Sequence, residues 1–305
     1  MRVFVTGASG HIGSALIPEL LEHGHEVVGL ARSDRSAAVL SAAGAEGHRG
    51  DLDDLDGLRE AAKAADGVVH LAFKHEAMRS GDYLSAIADD LKAIEAMGAG
   101  LEGSGKPFVG TGGTLMLALS GIADRAGTEA DVVTGGPRVD AENTIIGFAG
   151  RDIRSSLIRL SPVVHSSLDH HGFAHTLIAI ARAKGVSGYA GDGANRWPAV
   201  HTLDAARLYR LALESAPAGS RLHGVADEGV PFRDIAGVIG RRLSLPVVSV
   251  DPGDAGEHFG FLGGFVGLDN WTSSARTRKL LGWEPAHEGL IDDLSHGHYF
   301  DNVTA

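Results

Sequence analysis

Cysteine is absent from this chain of 305 residues, which excludes disulfide staples, thiolate metal sites and cysteine nucleophiles together and fits a reducing compartment. An excess of basic charge is lacking too: 27 Lys and Arg against 39 Asp and Glu leave a formal charge of -12. Nucleic acid and anionic membranes are drawn to a basic face, so neither is expected as a partner and a small molecule is the default ligand. Long apolar runs are missing: stretches such as Thr114-Leu115-Met116-Leu117-Ala118-Leu119 fall far short of the ~20 residues that cross a bilayer. There is no apolar leader with a cleavage site, because Met1-Arg2 lead straight into Val3-Phe4-Val5, and a cytoplasmic location is the expectation. Internal repeats and low-complexity linkers are absent as well.

What is present is enough to bury a full core, with 44% hydrophobic and 22% charged residues in a length that suits one large domain or a domain with a smaller lobe. The first half alternates short apolar strands with helix-period stretches, as parallel strands joined by crossover helices require. Strands are expected near 2–6, 26–31, 46–50, 67–72, 107–111 and 155–164. Helices are expected over 12–23, 55–65, 83–98 and 138–149, with Asp53 or Asp54 capping the second. The predicted fold is therefore α/β, a Rossmann-like doubly wound parallel sheet with a smaller C-terminal mixed α/β substrate lobe. Residues 1–165 are assigned to dinucleotide binding, with 199–226 returning to that part. Residues 166–198 and 227–305 are assigned to the small lobe.

At the N-terminus a strand, the turn Thr6-Gly7-Ala8-Ser9-Gly10-His11-Ile12-Gly13 and a helix follow without interruption. Gly7 permits the tight turn, Gly10 lets the backbone approach a pyrophosphate, and Gly13 lets the helix pack close to the strand. The helix N-terminus meanwhile offers N–H groups to the anion. The second strand ends in Ala31-Arg32-Ser33, where an NAD-binding protein usually carries an acid for the ribose hydroxyls. A guanidinium and a hydroxyl in that place suit a 2'-phosphate, which makes NADP(H) the expected cofactor. Asp51, followed by Leu52, stands either by the adenine or as a helix cap. Leu71-Ala72-Phe73 close the fourth strand with a small residue against the cofactor.

These residues resemble the extended and atypical short-chain dehydrogenase/reductase superfamily, which contains NAD(P)-dependent epimerases and dehydratases. Beside the glycine turn, the resemblance rests on Arg159-Leu160-Ser161-Pro162-Val163-Val164-His165, which is similar to the family's nicotinamide-side strand. It also rests on Ala199-Val200-His201-Thr202-Leu203-Asp204-Ala205-Ala206, and on Leu281-Gly282-Trp283-Glu284-Pro285 near the end. It implies cofactor contacts from Pro162 and Val164. It also implies a Tyr followed four residues later by Lys, yet none of the four tyrosines has that partner. Arg138 and Glu142 stand at the same spacing instead. They form either a surface ion pair or a guanidinium, oriented by the carboxylate, that stabilises developing negative charge.

The family's hydroxyl after the fifth strand falls in Gly110-Thr111-Gly112-Gly113-Thr114, with Thr114 the preferred surrogate and Thr111 lining the cofactor. His165 is the candidate proton donor. Phe73, Lys74, His75, His171, Trp197 and His201 are candidate substrate walls, with Trp197 equally suited to anchoring the small lobe. His171 and His175 have a helical metal spacing but no evident third ligand, so no metal is expected. The implied function is an NADP(H)-dependent reductase or dehydrogenase acting on a carbonyl, imine or activated alkene of a small molecule. The alternatives are a redox-neutral epimerase, isomerase or dehydratase that retains its nucleotide, and a non-catalytic NADP sensor. A homodimer is left open.

Overall fold

Strands made of branched apolar residues and buried on both faces must lie between helices, and in parallel order they need a crossover for each connection. The computed structural model, which describes residues 1–75, 82–136 and 138–301, has this arrangement. β1 (Arg2–Thr6), β2 (Glu26–Ala31), β3 (Glu46–Arg49), β4 (Gly67–His70), β5 (Pro107–Gly113) and β6 (Arg154–Leu160) are joined by β10 (Ser220–Gly224) in one seven-stranded sheet. The order is β10-β6-β5-β4-β1-β2-β3, and every pairing is parallel. The order runs outward in both directions from the β1/β4 junction, which is the crevice where doubly wound sheets take their ligands. Apolar clusters cover both faces, one built on Val3, Val5, Leu16 and Leu20 and the other on Phe4, Val68, Ile94 and Phe108.

Three departures from the sequence pattern have local causes. The run expected as one strand over 155–164 breaks at Ser161-Pro162, because proline has no N–H for the ladder. Ser161 turns its hydroxyl to the Gly224 carbonyl. β7 (Val163–His165) then leaves the main sheet to pair with β9 (Arg196–His201), which in turn pairs with β11 (Asp227–Pro231). A helix over Asp34–Ala42 was not apparent from periodicity, since Leu40 is its one fully buried residue, and it is started by a capping box between Ser33 and Ser36. The helix expected from Arg138 begins at Val139, with Arg138 held just outside it in the left-handed region at φ 62°.

A separate apolar cluster, centred on Trp197, Phe232, Ile239 and Phe259, forms the core of the remaining residues. A two-stranded parallel pair, β8 (Ser187–Ala190) with β12 (Val247–Val250), lies beside it. Among the described residues no helix is long and apolar enough to cross a membrane.

Candidate functional site

The turn after β1 is closed so tightly that side chains would not fit. Gly7 has φ 69°, and a Cβ there would lie 2.8 Å from the Ala72 nitrogen, so its bareness lets the turns after β1 and β4 touch. A Cβ on Gly13 would come within 2.3 Å of the Gly7 carbonyl oxygen and 2.5 Å of that of Ala8. Gly10 differs: apart from the Gly7 oxygen at 3.1 Å, nothing lies near its missing side chain. The space above the turn is therefore open, and the helix His11–Glu22 starts beneath it with no side-chain cap on its N-terminal N–H groups. Ser9 and Gly10 are exposed at this opening. The cradle fits a pyrophosphate in shape and polarity.

His11 uses its ring elsewhere. Nε2 is 2.7 Å from the Thr202 hydroxyl, and Nδ1 is 3.9 Å from the Asp169 carboxylate. Burial pulls this imidazole below its usual range, with Asp169 opposing. The side chain thus ties the glycine turn to the helix Thr202–Ser215, while Ile12 packs against the main core.

At the other end of the crevice β2 closes with a fully buried Ala31, and Arg32 and Ser33 are exposed beside it. Ser33 accepts from the Ser36 N–H and closes the helix cap. Arg49, which sequence spacing had not singled out, is the register partner of Ala31 on β3 and lies 3.3 Å from Asp34. Asp51 does not cap the helix: its Oδ1 accepts from the N–H groups of Asp53 and Asp54, inside the loop that precedes it. Asp54 caps the helix Leu55–Ala64. Leu52 is part of the core beneath this loop.

Beyond β4 lies a buried polar chain that no motif announced. Thr6 Oγ1 is 2.6 Å from His70 Nδ1, His70 Nε2 is 3.1 Å from Asp90, and the other Asp90 oxygen is 3.2 Å from Arg138. Because an ionised carboxylate only accepts, the network assigns the His70 proton to Nε2 and leaves Nδ1 to accept from Thr6. Burial raises the Asp90 carboxyl, but the His70 hydrogen bond and the Arg138 charge outweigh it and hold Asp90 below the usual range. Arg138 also donates to the Thr111 carbonyl at 3.2 Å and lies 4.3 Å from the centre of the Phe73 ring. Phe73 meets His75 and Tyr83 edge-on at 5.3 and 6.3 Å. The guanidinium is thereby pinned over the ends of β4 and β5, at the mouth of the crevice.

Several expected site residues lie elsewhere. Arg138 and Glu142 do not pair: Glu142 faces inward to Arg159 and Arg221, because the left-handed Arg138 stands outside the helix that carries Glu142. Thr114 is fully buried, its hydroxyl accepting from Asn270. Thr111 is half-buried and its hydroxyl is engaged by the His70 carbonyl and Tyr209. His165 is sealed from solvent against Asp293. Trp197 takes its anchoring alternative, wholly buried against Phe173 and Phe232. Pro162 is half-buried where β6 ends, and Val164 packs on the main core. Leu71 and Ala72 line the turn against Gly7, and His75 is exposed.

His171 precedes the helix Phe173–Lys184, and His175 faces the Asp169 carbonyl, so their spacing is not that of one helix face. Among the described residues, the histidine, aspartate and histidine that do converge are His201, Asp204 and His287. The two rings stack at 4.5 Å and 10°, so their in-plane lone pairs run side by side. Asp204 accepts from the backbone and ring of His287. This is a joint fastening the C-terminal segment to the helix Thr202–Ser215. Burial, with His165 and His287 nearby, lowers His201 to about 4.

Fold and cradle together define a Rossmann-like α/β protein with a glycine-lined crevice at its switch point. The chain belongs to the NAD-dependent epimerase/dehydratase family, whose model matches residues 3–94. Relatives match over nearly the full length: Uncharacterized protein C2A9.02 of Schizosaccharomyces pombe is 48% identical over 302 residues, 98% of this chain and 100% of that one. Uncharacterized protein YLL056C of Saccharomyces cerevisiae is 44% identical over 297 residues, 96% and 98% of the two chains. Among solved structures, DesIV of Streptomyces venezuelae, a dTDP-glucose 4,6-dehydratase with NAD and TYD bound, shares the fold with a TM-score of 0.75. It is 19% identical, with 98% of this chain and 96% of that chain covered.

Proposed function

We propose that the protein is an NADP(H)-dependent oxidoreductase acting on a carbonyl, imine or activated alkene of a small molecule, with the main sheet holding the nucleotide and the remaining residues closing over the substrate. The observation that carries the cofactor choice is the end of β2: the strand closes not on an acid but on a buried Ala31, which has Arg49 in register beside it on β3, and Arg32 follows. Two guanidinium groups at this place match a 2'-phosphate. Bound NADPH would supply a hydride. The protein's part is to seat the pyrophosphate on the bare turn at Gly7, Gly10 and Gly13, and to hold the reacting group against Arg138. That guanidinium, fixed by Asp90 and the Thr111 carbonyl, offers positive charge without reorganising.

Calorimetric titration with NADP+ and NAD+ tests this. NADP+ is expected to bind more tightly, and Arg32→Ala to weaken NADP+ by roughly tenfold or more, in keeping with the loss of a charge-assisted contact, while leaving NAD+ unchanged. Tighter binding of NAD+ would overturn the assignment. The family description favours a second reading, a redox-neutral epimerase or dehydratase, which predicts nucleotide retained through purification and no net consumption of NADPH during turnover.

A further inference from the structure

The family's tyrosine and lysine are missing, yet the crevice mouth holds a phenol next to a fixed cation. Tyr83 and Asp90 lie seven residues apart on the helix Tyr83–Leu101, two turns along one face. That face is turned toward Phe73 and Arg138. The other tyrosines are committed. Tyr209 is fully buried with its hydroxyl on Thr111. Tyr299 is bound by the Ser166 N–H and Asp169. Tyr189 lies in the strand Ser187–Ala190, against Gly193. Tyr83 is half-buried, and among the described residues its hydroxyl makes no hydrogen bond.

We propose that Tyr83 and Arg138 together hold the substrate oxygen, with Tyr83 as the proton donor and Asp90 and His70 as positioning residues for the guanidinium. The proposal rests on the reductase reading and gives its substrate a character: a planar carbonyl compound small enough to lie against Tyr83 and Arg138 beside Phe73. The proton leaves the Tyr83 oxygen for the substrate oxygen as the attached carbon accepts a hydride from a reduced dihydronicotinamide, so that C=O becomes CH–OH. The phenolate left behind faces the Arg138 charge and regains a proton from water. Burial raises the Tyr83 phenol, Arg138 lowers it and Asp90 raises it, with a net upward shift. Tyr83 therefore enters the reaction protonated, as a donor must.

Benzoate, a planar carboxylate, is a direct probe. Calorimetry with benzoate on protein saturated with NADP+ should show binding by the wild type, weakened roughly tenfold or more in Tyr83→Phe and in Arg138→Met by the loss of a charge-assisted hydrogen bond. Arg138→Lys should recover part of the loss. NADP+ affinity should stay within twofold of wild type in Tyr83→Phe, which separates this site from the cofactor site. Ultraviolet titration of tyrosinate should find Tyr83 ionising at lower pH in Asp90→Asn and at higher pH in Arg138→Met, a shift that a purely structural role would not produce. Benzoate binding that is absent, or equal in wild type and Tyr83→Phe while NADP+ binds normally, overturns the proposal. Failure of NADP+ itself to bind counts against the cofactor reading instead.

Discussion

Arg159 is wholly buried, and a charge in that position is tolerable because Glu142 meets it from Nε at 2.9 Å while the Asp131 carbonyl accepts from its terminal nitrogen at 2.8 Å. Burial raises the Glu142 carboxyl, but Arg159 and then Arg221 more than reverse it, leaving it below the usual range. Breaking one side of such a pair strands the other charge, so Glu142→Gln should lower unfolding stability by about 3–5 kcal/mol. Urea denaturation checks this, and a loss below ~1 kcal/mol, the scale of an exposed pair, would contradict the buried-pair account. The same residue shows what spacing conceals. Arg138 and Glu142 stand one helical turn apart in sequence, but a single left-handed φ at Arg138 sends their side chains to different partners. Asp90, His70, Tyr83 and Arg49 escaped notice because their partners come from other elements, separated by up to 64 residues in the case of Thr6 and His70.

Among the elements, the β1 turn was the most legible, since Gly7 and Gly13 answer local steric demands and Gly10 leaves the space above the turn open, in a spacing that sequence order displays. The prediction there is a contrast between two glycines. Gly13→Ala forces a Cβ into two carbonyl oxygens and should cost both thermal stability and NADP+ affinity, the latter by more than about tenfold. Gly147, at φ -64° and ψ -21° with nothing near its missing Cβ, should gain about 0.4–1 kcal/mol as Gly147→Ala. Paired melting curves and titrations test both, and equal effects at the two positions would refute the steric argument. The strand positions were readable from their apolar runs. The split at Ser161-Pro162 was not, because the apolar pattern continues through it and proline's missing N–H is its visible mark.

The whole molecule should weaken in acid, and on the acid side earlier than its carboxylates alone would dictate. His223 is buried with Nδ1 facing the Ser273 carbonyl, and burial holds its folded pKa at about 4 against an ordinary 6.5. Between those values the unfolded chain binds a proton that the folded one refuses, so stability falls as pH falls through this window, by at most about 1.4 kcal/mol per pH unit for this group. His201, lowered to about 4 as well, adds to the same trend. Urea midpoints measured from pH 7 to pH 4.5 should decline steadily, and His223→Gln should flatten the decline. A flat wild-type profile would mean that these imidazoles are not held neutral.

The order of strands in the main sheet has a consequence during synthesis. Its edge strand β10 comes from residues 220–224, and the helix Thr202–Ser215 supplies Ala205, Leu208, Tyr209 and Leu213 to the same cluster as Leu16, Ile17 and Leu20 of the first helix. While the ribosome is still making the first two hundred residues, that first helix has no cover for its oily side, and the nascent chain presents a sticky surface for as long as translation takes to reach Leu213. A fragment ending at His165 should accordingly bind chaperones or precipitate, however complete its glycine turn.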